Sequence, residues 1–285
     1  MARAPRARIL YIPHGGGPLP LLGDEGHLEL VSYLRSIGAS MPRPKAIIVI
    51  SAHWEATVPT VTAGAFPQLV YDYFGFPDEA YHVRYPAPGD PALADRIKSA
   101  LNRVGLSLAM DTGRGFDHGL FVPLSLMYPE ADIPCVQLSL VRGLDPVLHL
   151  RIGQALAALA GEDVLILGSG FSFHNMQEFF RTPGSSGQED PRNDAFQAWL
   201  AETCGSSKLG DQDRLQRLAA WETAPHARYC HPREEHLLPL HVCAGIAIGA
   251  DVPGGPDILG KCTAACQELT VLGKRSLVAF WGSVR

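Results

Sequence analysis

The sequence predicts an α/β fold, a layered domain with a central, largely parallel or mixed sheet flanked by helices. Three observations carry that expectation. Short runs rich in Val, Ile and Leu recur at Ile9–Ile12, Ala46–Ser51, Cys135–Leu140, Val164–Leu167 and Ser276–Phe280. They lack strict apolar–polar alternation, which suits strands covered on both faces. Stretches with helical periodicity fall between them, and strands alternating with helices argue for a largely parallel sheet.

Along the chain, Ile9–Ile12 leads into Pro13-His14-Gly15-Gly16-Gly17-Pro18, where the glycines let the backbone turn tightly. Ala46–Ser51 runs into Ser51-Ala52-His53-Trp54 and is expected to end there. Pro91–Val104 keeps Leu93, Ile97, Ala100, Leu101 and Val104 on one helical face. Gly115-Phe116-Asp117-His118-Gly119 reads as a loop before the apolar Leu120–Leu126 segment. A helix over Asp145–Leu159 carries Val147, Leu148, Ile152, Leu156 and Leu159. Val164–Leu167 leads into Gly168-Ser169-Gly170-Phe171-Ser172-Phe173-His174-Asn175. Further helices are expected over Asp194–Cys204 and Glu234–Ile248. Pro232 with the acids Glu234 and Glu235 marks the start of the latter and puts His236 in its first turn. Arg181–Arg192, with its Pro-Gly-Ser-Ser-Gly core, reads as a mobile surface loop, and Asp251–Pro256 as a second turn-rich break. With no internal repeat or low-complexity tract, residues 1–285 are expected to form a single catalytic domain.

The bulk composition narrows the function classes. An apolar content of 46% with 19% charged residues is that of a globular chain. A formal net charge of -5 offers no basic stripe for nucleic acid and no polybasic membrane anchor. No apolar run reaches the roughly 18 residues of a membrane span. Pro5, Arg6 and Arg8 interrupt any secretory apolar segment. The six cysteines form no CxxC pair, and Cys135 and Cys243 sit in apolar segments, so a reduced, cytoplasmic protein is expected.

Of the eleven histidines, His14, His53 and His174 follow three of the strand candidates, beyond whose carboxyl ends ligands bind in open α/β sheets. His236 at a helix start and His118 in a glycine-flanked loop join them. A lone histidine after a strand is most often a hydrogen-bonded structural residue. Repetition at several strand ends points instead to a metal, because neutral imidazole is the commonest protein ligand. Iron and zinc both suit such nitrogens, and no local signature such as HExxH separates them. His27, His82 and His149 read as surface or structural; His226, His231 and His241 stay ambiguous. His241 lies about 140° round a helix from His236, so the two cannot face one metal.

The ordered set Pro13–Pro18, Ser51-Ala52-His53-Trp54, Phe116-Asp117-His118-Gly119, Gly168-Ser169-Gly170 with His174-Asn175, and Glu235-His236 with Leu238-Pro239-Leu240 resembles the class III extradiol ring-cleavage dioxygenases, in the 4,5-DOPA branch. Tyr85-Pro86-Ala87-Pro88-Gly89 and Ile133–Ser139 also match, and the resemblance spans residues 8 to 283. It implies that His14, His53 and His236 bind the metal, that His174 is a catalytic histidine or a further group beside the metal, and that His118 is a catalytic residue lining the substrate pocket as an acid–base or hydrogen-bonding group; Trp54 and Asn175, with Phe171 and Phe173, are candidate substrate-binding residues. It implies Fe(II) for activity, with Zn(II) a possible occupant, and a catechol and O2 as small-molecule partners. His236 stands where the protocatechuate-cleaving relatives have Glu, a change the DOPA branch shares; Glu234 or Glu235 is the lesser source of a carboxylate. The implied chemistry has a catechol chelated to the metal while His174 takes a hydroxyl proton and later returns it. A monomer or homodimer is expected. The alternatives are a zinc hydrolase on the same histidines and a Memo-type non-enzymatic binding protein.

Overall fold

The computed structural model describes residues 8–181, 190–249 and 263–282. Most of the Arg181–Arg192 loop and all of Asp251–Pro256 lie outside them. The strands are β1 (Arg8–Pro13), β2 (Ala46–Ala56), β3 (Thr60–Thr62), β4 (Ala109–Asp111), β5 (Cys135–Val141), β6 (Val164–Gly170), β7 (Ala265–Val271) and β8 (Lys274–Gly282). They form one sheet in the order β4-β3-β5-β2-β6-β1-β8-β7. The middle four, β5-β2-β6-β1, are parallel. β3 runs antiparallel to β5 and parallel to β4, while β8 runs antiparallel to both β1 and β7. The sheet is therefore mixed with a parallel centre.

The helices are α1 (Leu28–Ser40), α2 (Pro91–Arg103), α3 (His118–Met127), α4 (Pro146–Leu156), α5 (Met176–Arg181), α6 (Pro191–Gly205), α7 (Asp211–Ala219), α8 (Ala227–Cys230) and α9 (Leu238–Gly249). Three of them open on an Asp-Pro pair. Asp90, Asp145 and Asp190 each accept a hydrogen bond from a backbone N–H of the first turn, and the following proline occupies a position whose own N–H would be unpaired.

Successive residues of the central strands point to opposite faces, and each face has its own core. Ile9, Tyr11, Ile48, Ile50, Leu138 and Ile166 pack with Leu93, Ile152, Phe196 and Val242 of α2, α4, α6 and α9. Leu10, Ile12, Ile47, Val49, Leu165 and Leu167 pack with Leu30 and Leu34 of α1 and Phe121 and Leu124 of α3. Burial on both sides is why these strands read as unbroken apolar runs.

Three expectations need adjusting. β2 does not stop at Ser51 but continues through His53 to Ala56. His118 is not in a loop: it is the first residue of α3, whose cap is the Asp117 carboxylate accepting from Gly119 N. α9 starts at Leu238, so His236 sits in the turn before it rather than in its first turn. The shift has a physical cause: Pro239 belongs in a first turn, while Glu234 and Glu235 are occupied by ion pairs with Arg228 and with histidines instead of complementing the helix dipole. Among the described residues no helix is long and apolar enough to cross a membrane.

Candidate metal centre

His14 and His174 stand beyond the carboxyl ends of β1 and β6, and His53 lies within the last residues of β2; the three strands are adjacent in the sheet. His14 continues the pairing of β1 with β6, its N–H donating to Gly170 O at 3.0 Å. The chain then turns at once through Gly15 (φ 88°), where a Cβ would meet the ring of His27. His27 is buried; it accepts from Gly16 N at 2.9 Å and bonds Asp24 at 2.7 Å, fastening the turn.

His53 owes its position to an irregularity. Ile50 pairs with Leu138 and Glu55 with Leu140, so β2 advances five residues while β5 advances two. A bulge of this kind re-aims side chains at the end of a strand. His236 is fixed through its carbonyl, which accepts from Phe171 N and from Tyr11 Oη, both at 3.0 Å. His174 is anchored by its N–H on Cys230 O at 2.9 Å.

The rings converge. His14 Nε2 and His53 Nε2 are 2.8 Å apart. His236 has its ring centroid 5.2 Å from that of His14 and 4.8 Å from that of His53. His118 lies 3.8 Å from His53, and His174 stacks on His236 at 3.4 Å. Four of the five outer nitrogens are engaged by the protein. His14 Nδ1 is 3.1 Å from Ser169 Oγ, and His118 Nδ1 is 2.8 Å from Asp72 Oδ1. His174 and His236 both place Nδ1 at 3.0 Å from Glu235 Oε1. Such partners fix the tautomer and leave the other nitrogen free to ligate.

Burial, reinforced by the neighbouring histidines, pushes the pKa of His14 and of His236 well below the ordinary value. The same forces outweigh Asp72 at His53, which is also held well below it. These shifts favour the neutral imidazole, the form a ligand must take. Burial alone would raise the Glu235 carboxyl, but the hydrogen bond and charge of His174 bring it below its usual range. The donor set therefore fits a divalent metal. Candidate ligand atoms within 4.8 Å of one another form two groups, His14–His53–His118 and His174–Glu235–His236.

The histidines floor a cavity of about 840 Å³ walled by Leu19, Tyr73, Phe76, Phe171 and Phe179, with Asp24 and Glu25 also on its lining. Trp54 and Asn175, expected to bind substrate, are not among the described lining residues. Trp54 lies under the Arg114 guanidinium at 4.5 Å. Asn175 donates to Tyr229 O at 2.7 Å and accepts from Glu178 N at 3.3 Å, holding the start of α5. Phe173 is likewise absent from the lining and is fully buried. Asp72 belongs to none of the sequence motifs, its only signal being an acid between two tyrosines, and Ser169 appears in one without a role of its own.

Residues 24–260 match the family of the catalytic LigB subunit of aromatic ring-opening dioxygenase. The chain belongs to this family. Among curated relatives, the dioxygenase tasH of Hapsidospora irregularis is 44% identical over 85% of this chain and 78% of its own. The 4,5-DOPA dioxygenase extradiol of Beta vulgaris is 46% identical over 83% of this chain and 85% of its own. The crystal structure of an uncharacterized Escherichia coli K12 protein superimposes with a TM-score of 0.70 at 28% identity, covering 96% of this chain and 99% of that one. As a LigB-family member the protein is a metal-dependent extradiol ring-cleaving dioxygenase, acting on a small aromatic substrate with O2. The zinc-hydrolase and binding-protein alternatives give way to that assignment.

Proposed function

We propose that this LigB-family dioxygenase opens a DOPA-like catechol at Fe(II) held by His14, His53 and His236, within one catalytic domain over residues 1–285. The observation that carries the reading is the approach of two neutral imidazoles through Nε2 at 2.8 Å, with the outer nitrogen of His14 engaged by Ser169. Two lone pairs at that separation repel unless a proton or a cation lies between them, and burial disfavours the proton. Bound Fe(II) would supply the redox chemistry that joins O2 to the ring. Zn(II) suits the same nitrogens.

The chain's own residues handle protons and water. His174 donates from Nδ1 to Glu235, which leaves Nε2 as the acceptor for a catechol hydroxyl proton and the donor that returns it. His118, held the same way by Asp72, is a second such group. Phe76, Phe171 and Phe179 give a flat ring apolar walls and keep bulk water from the floor. Similarity to the 4,5-DOPA dioxygenase extradiol of Beta vulgaris supports a DOPA-like substrate. Five free cysteines among the described residues accord with a reducing, cytoplasmic compartment.

The test is anaerobic loading with Fe(II), followed by oxygen uptake against L-DOPA, protocatechuate and simple catechols. Uptake with a new yellow chromophore for L-DOPA is expected, and the zinc-loaded protein is expected to be silent. An iron-loaded protein that consumes no oxygen with any DOPA-like catechol overturns the reading.

A further inference from the structure

Asp72 has no place in the ligand set or in the motifs read from the sequence, yet its carboxylate hydrogen-bonds one of the five histidines and lies beside a second. Oδ1 accepts from the His118 backbone N–H at 3.1 Å and from His118 Nδ1 at 2.8 Å. Oδ2 lies 3.7 Å from His53 Nδ1. The segment bearing it is pinned against the start of α3. Phe116 N donates to Gln68 O and Val70 N to Phe116 O, both at 2.8 Å, a short parallel bridge. Gly115 permits that approach, since a Cβ there would run into the Gln68 carbonyl. The flanking tyrosines are tied down as well, Tyr71 Oη to Val83 O at 2.7 Å and Tyr73 Oη to Ala80 O at 2.6 Å. Ion pairs on a free surface are not built this way.

We propose that Asp72 is a positioning residue serving two histidines at once: it holds the His118 proton on Nδ1, so that Nε2 meets the substrate as an acceptor, and it orients His53 so that Nε2 meets the metal. The first half stands on the hydrogen bond alone. The second rests on the ligand role given to His53 above.

Asp72→Asn separates the two halves. The amide oxygen can still accept from His118, but the amide nitrogen turns a donor toward His53 Nδ1, where a donor already sits. His53 must then move or change tautomer, and its Nε2 is lost as a ligand. Zn(II) affinity of the metal-free protein, measured by competition with a chelator, is expected to fall about 10- to 100-fold, the usual cost of losing such a partner. Thermal unfolding of the metal-free variant should change little. Wild-type Zn(II) affinity in a folded Asp72→Asn variant overturns the His53 half.

The His118 half is read on the wild-type, metal-free protein, so it does not depend on any variant folding. Imidazole 15N shifts at pH 8, with the His118 signals assigned through His118→Gln, should show a protonated Nδ1 and a bare Nε2. A proton on Nε2 overturns it. If these shifts and affinities come out as expected while oxygen uptake fails, the dioxygenase substrate reading falls and the role of Asp72 stands; the reverse result removes only Asp72.

Discussion

An imidazole offers a metal one nitrogen cleanly only when the other is spoken for, and the partners here differ from ring to ring. Ser169 serves His14, Asp72 serves His118, and the single oxygen Glu235 Oε1 serves His174 and His236 together. The proximity of His118 to His14 and His53 makes it the rival of His236 for the third ligand position. Metal analysis of two variants decides between them. His236→Gln is expected to lose most of its bound metal, whereas His118→Gln should keep the metal and lose turnover by 10²-fold or more, as expected for an acid–base group. The opposite pattern of metal content would make His14, His53 and His118 the ligand set. Ser169→Ala makes a gentler probe: with the His14 ring no longer held, metal affinity should drop about tenfold by the same chelator competition.

At the scale of the element, Gly170 shows how a strand end and a loop are fitted together. A Cβ at Gly170 would run into the carbonyl of His236 and come within 3.0 Å of the Tyr11 ring. Gly170→Ala should therefore destabilise the protein by about 1–3 kcal/mol, as overpacking does, and weaken metal binding because His236 is displaced. Thermal melts with and without Zn(II) would show both effects. The same scale explains what the sequence revealed and what it hid. The four parallel strands were legible because Ile47–Ile50 and Leu165–Leu167 are buried on both faces and so are apolar without interruption. β3 and β4 have three residues each, and β7 is half exposed with alternating polar residues, so none left an apolar run to find. His14, His53 and His174 were visible because each follows such a run. Asp72 was not, because its value comes from a bridge to residue 116 that no local pattern encodes. Trp54 and Asn175 are sequence neighbours of site histidines, but a bulge at one and a helix start at the other give them partners outside the cavity lining.

For the molecule as a whole, the buried neutral histidines tie stability to pH. His14, His53 and His236 are held well below their ordinary pKa by burial and by one another; burial also pushes His231 down to about 3 and His241 to about 4. In the unfolded chain these groups take up protons near pH 6.5, while in the folded protein they do not. Below that pH the unfolded state binds more protons, so stability is full above it and declines as pH falls. The thermal midpoint of the metal-free protein should fall steadily from pH 7 to pH 5, and His231→Gln, if folded, should flatten the slope. A midpoint independent of pH over this interval would contradict the assigned neutral states.

The position of β1 within the sheet has a further consequence. Its two neighbours, β6 and β8, begin at Val164 and Lys274, more than 150 residues further along the chain. Pairings across such separations are slow to form, because a long loop must close before any contact rewards it. On the ribosome, His14 must wait for residue 170 to be made before it has a hydrogen-bonding partner, and β1 stays open along one edge until β8 arrives. A metal captured before residue 236 is made would find only part of the proposed ligand set, so productive loading belongs to the later stages of folding.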